Sequence, residues 1–228
     1  MTTLLNLDLK KNNGVIYNKK KDLIKKIYFD KNKSNFARLS NEYNGYKWYF
    51  ERINKIFDNK KKITILKNSN NLEIPVFKGT QFNFWEKMIH KTELIQMVIN
   101  HYNFIWPKKI KVPYHGDLTL GNMIFLKNNQ VRFIDWENYK RNEDWGLDLC
   151  YFLISTIVLP TLSYKRKEIE KEEIYLFQAF WKKVFHKKKY NYLEDPIRYI
   201  KKKINKKQNN YFSKITNNLE NQIYKSIL

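Results

Sequence analysis

The sequence predicts an α+β fold, and three observations carry that expectation. Short apolar and β-branched runs, bounded by Asn, Lys, Gly and Pro, crowd the first third of the chain. Apolar residues at helical spacing dominate the last half. Between them lies a tight hairpin, with residues 123–126 and 131–134 as its strands and 127–130, Lys-Asn-Asn-Gln, as its turn.

Each element has a local reason. Residues 14–17 and 23–28 read as a strand pair about a turn at 18–21, and 63–66 and 72–77 as a second pair about 67–71, where Lys-Asn-Ser-Asn-Asn supplies turn chemistry. A helix beginning between Ser34 and Ser40 separates the pairs, with Tyr43, Tyr46 and Phe50 at i, i+3 and i+7. Residues 83–89 and 92–104 read as helices, the second with Thr92 as N-cap and Leu94, Ile95, Val98 and Tyr102 as its apolar face. Pro107 and Pro113 stop it. Residues 149–159 form a buried helix ended by Pro160, and 174–185 another, with Phe177, Phe180, Trp181 and Val184 on one face. His90 and His101 lack partners at metal-ligand spacing and are expected to be structural. No internal repeat is present.

Composition narrows the function. The 228 residues carry 44 Lys and Arg against 22 Asp and Glu, a formal net charge of +22. Such a balance attracts nucleic acid, phospholipid or phosphorylated glycan. AT-rich codons, which favour Lys, Asn, Ile, Phe and Tyr, explain the same excess; that reading is preferred, and nucleic acid is not expected as a partner. Residues 195–228 set Ile197, Ile200 and Ile204 among Lys201, Lys202, Lys203, Lys206 and Lys207. That pattern suits an anionic glycan or membrane surface or, preferably, a packed helix with a solvated charged face. The single cysteine, Cys150, excludes an intrachain disulfide. With no leader-like start and no run of about 18 apolar residues, the expected location is the cytoplasm, with the inner membrane face as a peripheral alternative.

The chemistry-bearing stretch runs from 112 to 153. His115-Gly116-Asp117 is followed five residues after Asp117 by Asn122 and eighteen after it by Asp135, behind Val131-Arg132-Phe133-Ile134. Trp136-Glu137 come next, and Asp148-Leu149 opens the following apolar run. This set resembles the catalytic loop and metal-binding strand of the kinase-like phosphotransferases, in the branch of aminoglycoside phosphotransferases and choline kinases. Relative to the protein-kinase pattern, Gly116 stands for the Arg and Trp136 for the Phe.

The resemblance implies a bilobal, protein-kinase-like fold, with a small β-rich lobe over 1–78 that covers a nucleotide and a larger, mainly helical lobe over 79–228 that carries catalysis and substrate. It implies ATP and Mg2+ as cofactors, since phosphoryl transfer is mostly positioning and charge neutralisation. Asp117 would stand at the acceptor hydroxyl. Asn122 and Asp135 would hold the metal, which takes few protein oxygens and shares its remaining shell with phosphates and water. Lys26 is the candidate for the α- and β-phosphates, with Lys25 on the opposite strand face as its rival, and Glu42 is the partner that would hold Lys26 forward. His115 and Asp148 would support the catalytic loop, the latter by accepting backbone N–H groups. Pro75 and Gly79 bracket the interlobe hinge. A phosphate-covering loop of kinase type carries several glycines, and here only Gly14 is present.

Only thirteen positions separate Asp135 from Asp148, and no activation segment fits between them, which favours a small-molecule acceptor over a protein. Trp136, Glu137, Tyr139 and Trp145 are the acceptor-side candidates, because Ile-Asp-Trp-Glu is similar to the corresponding run of the choline kinase branch. Rings beside a carboxylate suit an ammonium; both Trp residues equally suit a core. The expected function is transfer of the γ-phosphoryl group to a hydroxyl of an amino alcohol such as choline, or of a surface-glycan sugar. The alternative is a catalytically weak pseudokinase acting as a nucleotide- or ligand-binding module.

Overall fold

The computed structural model describes residues 15–20, 23–28, 33–57, 62–83, 91–160, 169–185, 220–222 and 225. Over these the chain is a mixed α+β structure of small antiparallel sheets and helices. In order come β1 (Val15–Lys20), β2 (Leu23–Tyr28), α1 (Lys33–Phe57), β3 (Leu66–Lys67), β4 (Asn71–Pro75), β5 (Gly79–Thr80), α2 (Thr92–Ile105) and β6 (Lys111–Tyr114). A 3-10 turn at Leu120–Asn122 leads to β7 (Met123–Leu126), β8 (Val131–Phe133), β9 (Lys140–Asp144) and α3 (Leu147–Leu153). A π-helical turn at Ile154–Val158 and α4 (Lys171–Phe185) complete the set. The sheets are β1-β2-β4-β3, β5-β7-β8 and β6-β9.

Local patterning decides which side chains turn inward. On β2, Lys26 and Tyr28 are buried while Leu23 is exposed and Lys25 half-buried, as the two-residue period of a strand requires. On α1 the buried stripe is Leu39, Glu42, Tyr46, Tyr49, Phe50 and Ile53, at helical spacing. An acid therefore lies in an apolar face, opposite a lysine on the facing strand.

The core is rich in aromatic rings. Trp136 is fully buried, with ring centroids 4.5 Å from His115, 5.1 Å from Tyr49 and 6.0 Å from Trp106. Residue 45 of α1 must be glycine for this approach, because a Cβ there would stand 2.7 Å from the Trp136 Cβ. A polar chain crosses the same cluster: the Phe133 N–H donates to the Tyr49 hydroxyl at 3.1 Å, and that hydroxyl meets His101 Nε2 at 2.8 Å. With its proton given to His101, the hydroxyl is free to accept from Phe133, so the two bonds support each other.

Several expectations change. The first turn is shorter than 18–21, since β1 continues to Lys20 and pairs with Leu23. Of 63–66 only Leu66 joins a ladder, because Asn54 instead holds Ile63 through both its amide groups. Thr92 is the first helical residue rather than the cap; Lys91 holds the cap position, without a side-chain bond. The helix expected over 149–159 begins at Leu147 and widens into the π turn. β6 and β9 were not foreseen, because Lys111, Lys140 and Arg141 give them no alternating apolar face. The helix expected over 83–89 falls beyond the described residues from 84 onward. Gly14, His90 and nearly all of 195–228 also lie outside them. No helix among the described residues is long and apolar enough to cross a membrane.

Burial lowers the His101 pKa from 6.5 to about 3. Above 6.5 neither folded nor unfolded chain is protonated there; below it the unfolded chain takes a proton that the folded chain refuses. Stability is therefore lost as pH falls. Relative to His101→Gln, the wild type should lose about 2 kcal/mol between about pH 6.5 and about pH 5. Denaturant melts at the two pH values check this, and parallel behaviour of the two proteins would contradict it.

Candidate functional site

Three elements meet at the Lys26 ammonium. It lies 2.9 and 2.8 Å from the two carboxylate oxygens of Glu42 on α1, and 2.8 Å from Asp135 Oδ1 just beyond β8. Lys26 and Glu42 are 2% and 1% exposed, whereas Asp135 is 36% exposed. Burial pushes the Glu42 carboxyl up, against the pull of Lys26 and of the Tyr28 hydroxyl, which also donates to it. Burial pushes Asp135 the same way, but the Lys26 ammonium outweighs it and holds Asp135 below the usual carboxylate range. Lys25 stands on the other face of β2, away from this cluster.

Asp135 has a left-handed backbone, φ +64°, which aspartate tolerates better than most residues. Its N–H donates to the Tyr46 hydroxyl at 3.0 Å. Tyr46 and Glu42 lie one helical turn apart, so α1 holds the Asp135 backbone directly and, through Glu42, the Lys26 ammonium that pairs with it.

The loop 115–122 is held from behind. Asp148, in the first turn of α3, accepts the N–H groups of His115 at 2.9 Å and Gly116 at 3.1 Å. Burial raises Asp148 to about 7, although those two donors pull it down. His115 Nε2 donates to the Ile134 carbonyl at 2.9 Å while Nδ1 accepts the Asp117 N–H at 3.3 Å, an arrangement that needs the neutral ring. Burial agrees, lowering His115 to about 4. Gly116, φ +87°, cannot be replaced cheaply: a Cβ would meet the Asn138 carbonyl oxygen at 2.5 Å.

Asp117 emerges from this loop with both oxygens occupied. Asn122 Nδ2 donates to Oδ2 at 3.0 Å and to the Asp117 carbonyl at 2.8 Å, while the Tyr151 hydroxyl donates to Oδ1 at 3.3 Å. Burial and the charge of Asp135 raise Asp117 to about 7. The Ile134 N–H donates to the Asn122 carbonyl at 3.0 Å, tying the loop to the end of β8.

A cavity of about 390 Å³ opens over this cluster. Ile24, Ile74, Val76, Phe77 and Ile124 give it apolar walls, and Lys26, Glu42, Asn122 and Asp135 a charged end. Pro75 and Gly79 also line it, at the passage from the first sheet to the second. A small pocket with apolar walls and a few convergent polar groups is the usual form of a ligand site.

The residues present fit Mg2+. With its Nδ2 given to Asp117, the Asn122 side chain has its Oδ1 to offer a cation. Asp135 gives Oδ1 to Lys26 and keeps Oδ2 without a partner among the described residues. One amide and one carboxylate oxygen suit a hard cation that keeps much of its own shell.

Of the four acceptor-side candidates, two are corrected. Trp136 is sealed in the aromatic core, and Trp145 is 3% exposed with its ring edge-on to Tyr102, 5.8 Å between centroids. Burying a large ring contributes about 2–3 kcal/mol, more than the roughly 0.5–1 kcal/mol of an exposed cation–π contact, so the core claims both. Tyr139 and Glu137 stay partly open. Glu137 receives Arg38 Nε at 3.0 Å and also the Arg38 Nη2.

Sequence reasoning passed over Tyr28, Arg38 and Tyr151, and read Tyr46 only as part of an apolar helix face. Spacing could have found them. Tyr28 shares a strand face with Lys26, Arg38 and Tyr46 lie four residues either side of Glu42, and Tyr151 follows Asp148 by three.

No protein-family model matches the chain, and no curated protein sequence matches it. Among solved structures, the co-crystal structure of WbdD with the kinase inhibitor LY294002 aligns with it at 12% identity and a TM-score of 0.36, over 75% of this chain. The chain spans 44% of that protein's length. A likeness this small assigns neither family nor activity.

The buried pair is a testable strut. Lys26→Met should cost about 3–5 kcal/mol by stranding Glu42, and much less in a Glu42→Gln background. A double-mutant cycle from denaturant melts should give a coupling of at least about 1 kcal/mol; additive losses would contradict the pairing.

Proposed function

We propose that this chain is an ATP- and Mg2+-dependent phosphotransferase of bilobal, kinase-like organisation, residues 1–78 covering the nucleotide and 79–228 carrying catalysis. It moves the γ-phosphoryl group of ATP to a hydroxyl of a small molecule. One observation carries the proposal. The ammonium of Lys26, the carboxylate of Asp135 and the amide of Asn122 face one cavity with apolar walls, and Asp117 is hydrogen-bonded to that same amide.

The apolar walls from Ile24 to Ile124 suit a base, stacked between the first sheet and β7. Lys26, held by Glu42, reaches the α- and β-phosphates as a fixed positive charge. Asn122 and Asp135 would hold Mg2+, which when bound neutralises charge developing on the phosphate oxygens. Asp117 orients the acceptor hydroxyl and takes its proton as the bond to phosphorus forms. Burial suits Asp117 to this, because a carboxylate raised toward neutrality is a stronger base than one in water.

The acceptor side keeps Glu137 and Tyr139. A carboxylate beside a ring serves an ammonium-bearing alcohol and a polyhydroxylated sugar alike, so the proposed acceptor class spans amino alcohols and glycan sugars.

The test is ADP release from ATP and Mg2+ over a panel of choline, ethanolamine, hexoses, heptoses and aminoglycosides. The expected result is turnover on at least one acceptor, falling about 100-fold or more in Asp117→Ala without loss of the circular-dichroism spectrum. Unchanged turnover in that variant would end the assignment. Nucleotide binding with no turnover on the whole panel would make the chain a nucleotide-binding pseudokinase.

A further inference from the structure

Helix α3 touches the loop 115–122 at two points. Asp148 and Tyr151 lie three residues apart, hence on one face of the helix. Asp148 takes the backbone N–H groups on the N-terminal side of Asp117, and Tyr151 takes the Asp117 side chain itself, at 3.3 Å to Oδ1. Every residue of α3 is buried, so neither side chain can move without the core moving.

An aspartate carboxylate turns about a broad, roughly two-fold torsion. One hydrogen bond leaves that torsion loose; two donors on opposite oxygens fix the plane. Asn122 holds Oδ2. A hydroxyl acceptor needs one lone pair of this carboxylate in line with its O–H, and small misplacements of a base cost rate steeply. Resting-state catalytic hydrogen bonds are often long and tighten in the working complex, which the 3.3 Å separation leaves room for.

We propose that Tyr151 is a positioning residue for phosphoryl transfer, its hydroxyl fixing the Asp117 carboxylate from Oδ1 while Asn122 fixes it from Oδ2. This rests on the phosphotransferase reading above. No bond is made or broken at Tyr151; the hydroxyl stays a donor throughout, and the acceptor proton goes to Asp117.

The structure supplies its own control. Tyr114, on β6, is likewise a buried tyrosine, and its hydroxyl feels Asp148, Tyr151 and Asp117, yet it has no hydrogen-bond partner among the described residues. Tyr114→Phe removes a hydroxyl from the same surroundings without removing a bond to Asp117.

The experiment compares wild type, Tyr151→Phe and Tyr114→Phe with Mg·ATP and the best acceptor of the panel, separating kcat from KM. Tyr151→Phe should lower kcat at least about tenfold while KM for Mg·ATP stays within about twofold. Tyr114→Phe should keep both. A Tyr151→Phe enzyme with wild-type kcat overturns the proposal, and so does an equal loss in Tyr114→Phe, which would point to general disturbance of the core. Wild type without turnover on any acceptor overturns the phosphotransferase reading itself, and the role of Tyr151 falls with it.

Discussion

The structure turns on one ammonium placed where water does not reach. Burying Lys26 costs several kcal/mol, offset only by close, well-formed contacts with opposite charge. Glu42 and Asp135 provide them at 2.8–2.9 Å. Because Lys26 and Asp135 are 109 residues apart in sequence, the contact binds the first sheet, α1 and the end of β8 into one arrangement. The cavity exists in its observed form because those three elements are tied at its charged end.

Two further devices serve the same point. Gly45 lets α1 sit against Trp136, which brings Tyr46 to the Asp135 N–H. On the opposite side, α3 is a buried post whose Asp148 and Tyr151 grip the loop bearing Asp117. Left-handed backbones fall at four of the described residues, and two of them, Gly116 and Asp135, lie next to or at the groups that must be aimed, the others being Asn129 and Gly146. Glycine takes that conformation at little cost, whereas at Asp135 it persists because the surroundings over-determine it, here through the Tyr46 hydroxyl on its N–H.

Much of this was legible in the sequence, and the limits have physical causes. The hairpin of β7 and β8 and the helices α1, α2 and α4 follow from periodicity, which local burial enforces. Strand alternation put Lys26 and Lys25 on opposite faces without choosing between them, and the fold chooses by burying Lys26 against Glu42, which the sequence singled out by its place among Tyr43, Tyr46 and Phe50. The pairing of β6 with β9 was not legible, since its strands are mostly charged and meet only through the fold. Trp136 and Trp145 were ambiguous because a tryptophan beside a motif looks the same whether it faces a ligand or the core. Only the facing elements decide that, and they are Trp48 and Trp106 for the first and Tyr102 for the second. Tyr151 was passed over because an apolar run reads as core, and its three-residue spacing from Asp148 marks a shared helix face without naming the partner of its hydroxyl.

Calorimetric titration with ATP decides whether Lys26, Asn122 and Asp135 form a metal-dependent nucleotide site. With Mg2+ present the wild type should bind; with the metal chelated, or in Asp135→Asn, affinity should fall by about tenfold or more, roughly 1.4 kcal/mol. Binding of equal strength in all three conditions, or none in the wild type, would rule such a site out.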